Sequence, residues 1–135
     1  MSRRDAHDMA EALLAKARGD AAGLRALVGH EDVPDHVPGF LAQQAIEKAI
    51  KAVLTARESE FDRSHDLDYL CGLLEDAGLE LTPELRSAVS LTPWAVDARY
   101  TGPFDAPALD RQATAKTVDA VLAWAAETTG PHAST

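Results

Sequence analysis

The sequence is short of cysteine, aromatic residues and positive charge, and these shortages exclude several classes of protein. The single cysteine, Cys71, cannot form an internal disulfide, so a disulfide-stabilised secreted domain is not expected. The 13 Lys and Arg residues against 22 Asp and Glu leave a net charge of −9, which argues against a binder of duplex DNA. Neither a signal peptide nor a run of about 20 apolar residues is present, so we expect a cytoplasmic protein without membrane contact.

Strand patterns are missing as well. Aromatic residues make up only 5% of the chain, and no segment alternates β-branched with polar residues. Apolar residues recur at helical spacing instead, in blocks separated by proline and glycine. The first two predicted helices span about Asp5–Val28 and Phe40–Ala56, with a loop over residues 29–39 between them. The expected inward face of the first helix comprises Met9, Leu13, Ala17, Leu24, Leu27 and Val28.

Further helices are marked by their first residues. A third helix begins near Ser64 or Asp66. Thr82-Pro83 and Thr92-Pro93 each place a hydroxyl before a proline, which predicts two short helices or one helix kinked at the second proline. Asp105-Ala106-Pro107 opens the last helix. The sequence therefore predicts one domain over residues 1–135, an all-α five-helix up-and-down antiparallel bundle whose helical core covers about residues 5–128.

The second helix mixes polar groups into an apolar segment. Its small residues let another helix approach closely; they are Ala42, Ala45, Ala49 and Ala52. Gln43, Gln44, Glu47 and Lys48 lie near that approach, where their polar groups need partners. Glu47 and Lys51 have the i,i+4 spacing of a helical ion pair. The alternative is a solvated helix face with an ordinary Glu–Lys pair.

Three motifs that follow an Ala-rich first helix resemble the HEPN domain family. They are the run QQAIEKAIKA at residues 43–52, SHDL at 64–67 and AVDARY at 95–100. The resemblance covers about residues 5–128 and implies a five-helix bundle that commonly forms a symmetric homodimer. It also implies two functions, because many bacterial members act with a minimal nucleotidyltransferase as a toxin–antitoxin-like pair, and many others are metal-independent ribonucleases.

The ribonuclease signature of the family is an arginine and a following histidine with four to six residues between them. Arg99 stands in the matching region, and no histidine follows it at that spacing. The bare spacing occurs only at Arg25 and His30, in a different helix. A degenerate catalytic site of Arg99 and His65 remains an alternative, in which the histidine takes the proton of a 2′-hydroxyl and the arginine stabilises the phosphate charge.

The resemblance and the polar residues together predict a nucleotide-binding cluster. Its members are Lys48, Lys51, His65, Arg99 and Tyr100, with Gln44 and Glu47 holding them in place. A structural alternative stays open for two of these residues. His65, together with Asp66, satisfies the first N–H groups of a helix. Arg99 neutralises Glu47 inside the bundle.

No metal or cofactor is expected. A loop carries metal-ligand residue types without fixed geometry, at His30, Glu31, Asp32, Asp35 and His36. Cys71 lies on the apolar stripe of its predicted helix, so we expect it to be an unreactive core residue.

We therefore expect a homodimeric component of a nucleotidyltransferase-linked module that binds a nucleotide or its partner enzyme. The small-residue faces, which exceed the needs of one slim bundle, favour the dimer. A ribonuclease toxin that binds RNA and a non-catalytic dimeric scaffold are the two alternatives.

Overall fold

The computed structural model describes residues 2–95 and 108–130, and every regular element within them is helical. The elements are α1 (Arg3–Leu27), α2 (His36–Ala56), α3 (Leu67–Asp76), α4 (Pro83–Ala88), a 3-10 helix (Val89–Ala95) and α5 (Arg111–Thr129). The prediction of an all-α fold with five α-helices is confirmed. No helix in the described part of the chain is long and apolar enough to cross a membrane.

Helix α2 is the centre of the bundle, because α1, α3, α5 and the 3-10 helix all pack against it. The N-terminal residue of α5, Arg111, contacts the end of α1 and the residue before α2. Helix α5 therefore begins where α1 ends, and α1 runs antiparallel to both α2 and α5.

The buried face of α1 differs from the predicted one. Met9 is half exposed, whereas the buried row consists of Ala6, Ala10, Leu14, Ala17, Ala21 and Leu24. Four of these six residues are alanines, and the alanine row of α2 is also fully buried within the chain. Small side chains let helix axes approach closely, so the alanine-rich face packs inward and the larger Met9 stays outside.

Helix α2 begins earlier than predicted, because Pro38 and Gly39 lie in its first turn and not in a loop. Proline is tolerated there, since the first N–H groups of a helix have no intrahelical partner. The glycine leaves room for an aromatic ring. A Cβ at Gly39 would lie 2.6 Å from Cδ2 of Trp94, a partly buried residue that packs against the core.

The start of α3 is capped from two elements. The Asp66 side chain accepts hydrogen bonds from backbone N–H groups in the first turn of α3. Of the two predicted first residues of this helix, Ser64 and Asp66, the second is therefore the cap. The hydroxyl of Thr92 accepts from the N–H of Leu67 at 3.1 Å. Of the two alternatives for Thr92-Pro93, the start of a separate short helix is wrong, because both residues lie inside the 3-10 helix. That helix follows α4 without a gap, so the segment is one helical stretch with Pro93 within it, and its geometry changes at Val89. Thr82-Pro83 does open α4, with the Thr82 hydroxyl as its cap.

The last helix begins at Arg111, with Asp110 as its cap, and so starts later than predicted. The predicted start at Asp105-Ala106-Pro107 lies outside the described residues. Helical spacing in this segment predicts an inward face of Leu109, Ala113, Ala120, Val121 and Trp124. Of these, Val121 is buried, but Ala113 is exposed and Trp124 is only partly buried. The buried stripe of α5 comprises Thr114, Val118, Val121, Ala125 and Thr129.

Arg111 fixes one end of the bundle. Its Nε and Nη2 donate to Asp35 Oδ1 at 3.1 and 2.9 Å, and its Nη1 donates to the carbonyls of Leu27 and His30. Nη2 also donates to the carbonyl of Val33. All five guanidinium N–H groups therefore have acceptors. The arginine joins the end of α1, the connection to α2 and the start of α5.

Candidate functional site

The polar residues of α2 meet the connection to α3 around one buried carboxylate, Glu47. Oε1 of Glu47 accepts from Nε2 of Gln43 at 3.0 Å and lies 2.8 Å from Nδ1 of His65. Oε2 accepts from Nζ of Lys51 at 3.1 Å. We call Gln43, Glu47, Lys51 and His65 the Glu47 cluster. Three of its members follow from the helical repeat, because residues four apart share one face of α2.

Gln43 is the structural link of the Glu47 cluster. It is fully buried, and its two amide N–H groups face the Glu47 carboxylate and the backbone carbonyl of His65, the latter at 3.1 Å. Its Oε1 accepts from Nε2 of Gln44 at 2.7 Å. No buried side-chain polar atom in the described part of the chain lacks a hydrogen-bond partner. A fully bonded amide in a helical core is costly to displace, because each broken bond leaves a desolvated polar group.

The charge of Glu47 is maintained by its partners. Burial of the carboxylate raises its pKa, whereas the hydrogen bonds from Gln43, His65 and Lys51 and the positive charge of Lys51 lower it more. The pKa of Glu47 therefore lies below its ordinary value, and the cluster contains a carboxylate at neutral pH.

The two basic members of the cluster differ in their access to solvent. The Lys51 side chain is 14% exposed, and its Nζ lies between Glu47 and the ring of Phe61, 5.8 Å from the ring centroid. The His65 side chain is 55% exposed, although its Nδ1 is held by the buried carboxylate. His65 is therefore the member through which a dissolved molecule most readily meets the cluster.

The structure brings only some of the predicted site residues together. Lys51, His65 and Glu47 are in direct contact, and Gln44 joins them through Gln43. Nζ of Lys48 lies 2.6 Å from Asp20 of α1 and takes no part in the cluster. Arg99 and Tyr100 lie outside the described residues.

The alternatives for His65 are also decided by its contacts. The first N–H groups of α3 are bonded by Asp66 and Thr92, and the imidazole bonds Glu47 instead. The partners that Glu47 has within residues 2–95 and 108–130 are Gln43, Lys51 and His65. The expected pairing of Glu47 with Arg99 involves a residue beyond those ranges.

Other chemistry-bearing residues stand apart from the cluster. No group of three or more metal-ligating side chains occurs in the part of the chain that the structure describes, and Asp35 in the acidic loop binds Arg111. Arg25 pairs with Asp119 of α5 on the surface. Cys71 is buried; this burial, together with the nearby charges of Asp68 and Glu75, raises the pKa of its thiol to about 11.

The predicted nucleotide-binding cluster does not include two residues that the geometry assigns to this region, Gln43 and Phe61, although Gln43 is among the polar groups of the second helix that are expected to need partners. The i,i+4 spacing of Gln43 and Glu47 was available as a signal for the first. Phe61 lies in the connection between α2 and α3, and no local pattern predicts its position over Lys51.

Comparison with known proteins gives one positive result. The family model described as HEPN domain matches residues 10–128 of the chain. The matched range spans α2, the Glu47 cluster, the 3-10 helix and nearly all of α5. No curated protein matches the chain.

Proposed function

Because the chain belongs to the HEPN domain family, we propose that it is a nucleotide-binding, dimeric component of a nucleotidyltransferase-linked toxin–antitoxin-like module. The nucleotide binds at the Glu47 cluster, against the exposed side of His65. Arg99 and Tyr100 of the AVDARY motif supply a phosphate contact and an aromatic contact. The protein acts in the cytoplasm, where its single cysteine stays reduced.

One observation carries this proposal: Glu47 joins Lys51 and His65 within hydrogen-bond distance. A buried carboxylate that holds two basic groups fixes their positions before a ligand arrives, and such preorganisation favours binding. The charge of Lys51 balances that of Glu47, and in this proposal the guanidinium of Arg99 gives the site its net positive charge. A local cationic site on a chain of net charge −9 selects a small anionic ligand over an extended nucleic acid.

Lys48 has a different place in this proposal than the sequence suggested. Its ammonium is held by Asp20, and both side chains are about one quarter exposed. Lys48 therefore contacts a phosphate only if it exchanges its carboxylate partner for that phosphate. We assign the main cationic contacts to Lys51 and Arg99, with His65 as a further contact to the nucleotide.

The dimer rests on the family resemblance. The alanine rows of α1 and α2 suggested a surface for a second subunit, but they are buried inside one chain. Large apolar residues that do remain exposed on the described surface are Met9, Phe40 and Tyr69. Sedimentation of the purified protein with and without a minimal nucleotidyltransferase tests both partners. A protein that sediments as a monomer and does not bind the enzyme contradicts this part of the proposal.

Thermal denaturation tests nucleotide binding directly. We expect ATP, GTP, CTP or UTP in the presence of a chelator to raise the melting temperature, since a ligand at 100 times its Kd adds about 2.7 kcal/mol of stability. His65→Phe keeps a ring and removes the nitrogens, so it should reduce the shift. His30→Phe, at an exposed histidine outside the cluster, is the matched control and should keep it. The absence of any shift in the unmodified protein, together with the absence of RNA cleavage, leaves the scaffold function.

Metal-independent RNA cleavage is a second candidate function, and the bond between Glu47 and His65 Nδ1 favours it. A carboxylate on one ring nitrogen orients an imidazole so that the other nitrogen takes a proton. The 2′-hydroxyl of RNA supplies such a proton, and Arg99 stabilises the charge that develops on the phosphate.

RNA cleavage is tested in a chelator, with an Arg99→Ala, His65→Ala double variant beside the unmodified protein. Cleavage that the double variant loses establishes the ribonuclease. Intact RNA in both samples supports the binding or the scaffold function. Cleavage that persists in the double variant arises from another site or from a contaminating enzyme.

A further inference from the structure

His65 is held by α2 through both its ring and its backbone. The ring Nδ1 lies 2.8 Å from Glu47 Oε1, and the carbonyl oxygen accepts from Gln43 Nε2 at 3.1 Å. Gln43 also donates to the same Oε1 atom at 3.0 Å. The three side chains therefore form a closed set of bonds in which the carboxylate and the imidazole have one mutual orientation.

This closed set determines which ring nitrogen carries the proton when the imidazole is neutral. A carboxylate accepts hydrogen bonds and cannot donate one, so Nδ1 must be the protonated nitrogen. The lone pair of the neutral ring then lies on Nε2. Because the His65 side chain is 55% exposed, an approaching ligand meets a hydrogen-bond acceptor at this position.

We infer that neutral His65 recognises a sugar hydroxyl of the nucleotide through Nε2, with Glu47 and Gln43 as the positioning residues that fix its tautomer. This inference rests on the proposed nucleotide binding and specifies which group of the nucleotide His65 contacts. An ionised phosphate oxygen has no proton to donate to a lone pair, whereas a hydroxyl does. The sugar is the part of a nucleotide next to the phosphate, and Lys51 and His65 bond the same carboxylate, so a phosphate held by Lys51 brings the sugar hydroxyls toward His65.

The first test reads the tautomer without any ligand. In a ¹⁵N spectrum of the labelled protein, at a pH where the ring is neutral, we expect Nδ1 of His65 to be the protonated nitrogen. Glu47→Gln and Gln43→Met should each give a mixture of tautomers, and the rest of the spectrum reports whether the variant is folded. A proton on Nε2 in the unmodified protein overturns the inference, whatever the ligand.

The second test compares ribonucleotides with nucleotides that lack both hydroxyls. By calorimetry at the same pH and in a chelator, ATP and GTP should bind about fivefold or more tightly than 2′,3′-dideoxy-ATP and 2′,3′-dideoxy-GTP. His65→Phe should remove this preference, and His30→Phe should retain it. Equal affinities for both kinds of nucleotide in the unmodified protein overturn the hydroxyl contact and leave the proposed nucleotide binding intact. Failure of all four nucleotides to bind overturns the proposed function and the hydroxyl contact together.

Discussion

The indole ring of Trp94 lies directly against the backbone of Gly39, in the first turn of α2. A Cβ placed on this glycine would stand 2.6 Å from Cδ2 and 2.7 Å from Cε3 of the indole, closer than van der Waals contact allows. The contact connects the 3-10 helix to α2, and the 3-10 helix also supplies the Thr92 hydroxyl that caps α3.

Gly39→Ala should therefore destabilise the protein although alanine is the better helix former. We expect a loss of about 1–3 kcal/mol, since a rigid ring must move to admit the methyl group. The control is Gly19→Ala in α1, where no atom lies within 4 Å of the added carbon. That variant should gain up to about 1 kcal/mol. Urea denaturation measures both, and equal stability of the two variants would refute the contact.

Substitution of Arg111 should lower the stability of the protein strongly, because five hydrogen bonds depend on its planar guanidinium group. Arg111→Lys keeps the charge but cannot reach all of these acceptors, so we expect a loss of at least about 2 kcal/mol. Arg25→Lys serves as the control. Arg25 and Asp119 are each about half exposed, and that pair should contribute less than about 1 kcal/mol. Chemical denaturation of the two lysine variants should separate them clearly.

Substitutions at the residues just after α2 and α3 should change stability in opposite directions, because glycine is the favoured residue at both positions. Glu58 has a φ of 56° just after α2, and Gly78 has a φ of 86° at the equivalent place after α3. A side chain in the left-handed region costs about 1 kcal/mol, and glycine avoids this cost. Glu58→Gly should raise the free energy of unfolding, whereas Gly78→Ala should lower it by a similar amount. Changes of the same sign in the two thermal melts would contradict this assignment.

The stability of the protein should fall as the pH is lowered into the acid range. The hydrogen bond from the Leu109 N–H lowers the pKa of Asp35, burial raises it, and Arg111 lowers it further. The pKa of Glu47 is also below its ordinary value. Folded-state pKa values that lie below the unfolded ones give stability that is present above the unfolded pKa and is lost as pH falls through the folded pKa.

Denaturation between pH 7 and pH 3 measures this dependence. Asp35→Asn and Glu47→Gln should each be less stable than the unmodified protein at neutral pH, and each should show a flatter decline. A decline of unchanged steepness in both variants would mean that other carboxylates cause the acid sensitivity.

Cys71 should be unreactive while the protein is folded. Burial and nearby acidic groups raise the pKa of its thiol to about 11, so little thiolate is present at pH 8. We expect a disulfide reagent to label the folded protein about 100-fold or more slowly than the unfolded chain. A labelling rate that rises with urea in parallel with unfolding confirms this; fast labelling without denaturant would show an accessible thiol.

The fold was largely readable from the sequence because its signals are local. Helical periodicity and the caps at Asp66 and Thr82 mark where helices lie, and the structure retains them. The errors arose where a residue serves a distant partner. Gly39 makes room for Trp94, and the Thr92 hydroxyl caps α3 and not its own segment.

The candidate site was only partly predictable for the same reason. The pair of Glu47 and Lys51 follows from i,i+4 spacing, and it forms as predicted. The partners of His65 and Lys48 depend on how α1 and the α2–α3 connection approach α2, which no local pattern encodes. The network around Arg111 was missed entirely, because its acceptors are mostly backbone carbonyls, which every residue carries.

The bonds of Arg111 also bear on the order in which the chain folds. They join residues 76 to 84 positions apart, whereas α1 and α2 are separated by only a short connection. Loop closure over so many residues is slow, so the hairpin of α1 and α2 should assemble first and α5 should dock last. During synthesis the hairpin leaves the ribosome before α5 exists. A growing chain therefore exposes the α2 surface that α5 later covers, and this surface stays exposed until α5 has been synthesised and has docked through Arg111.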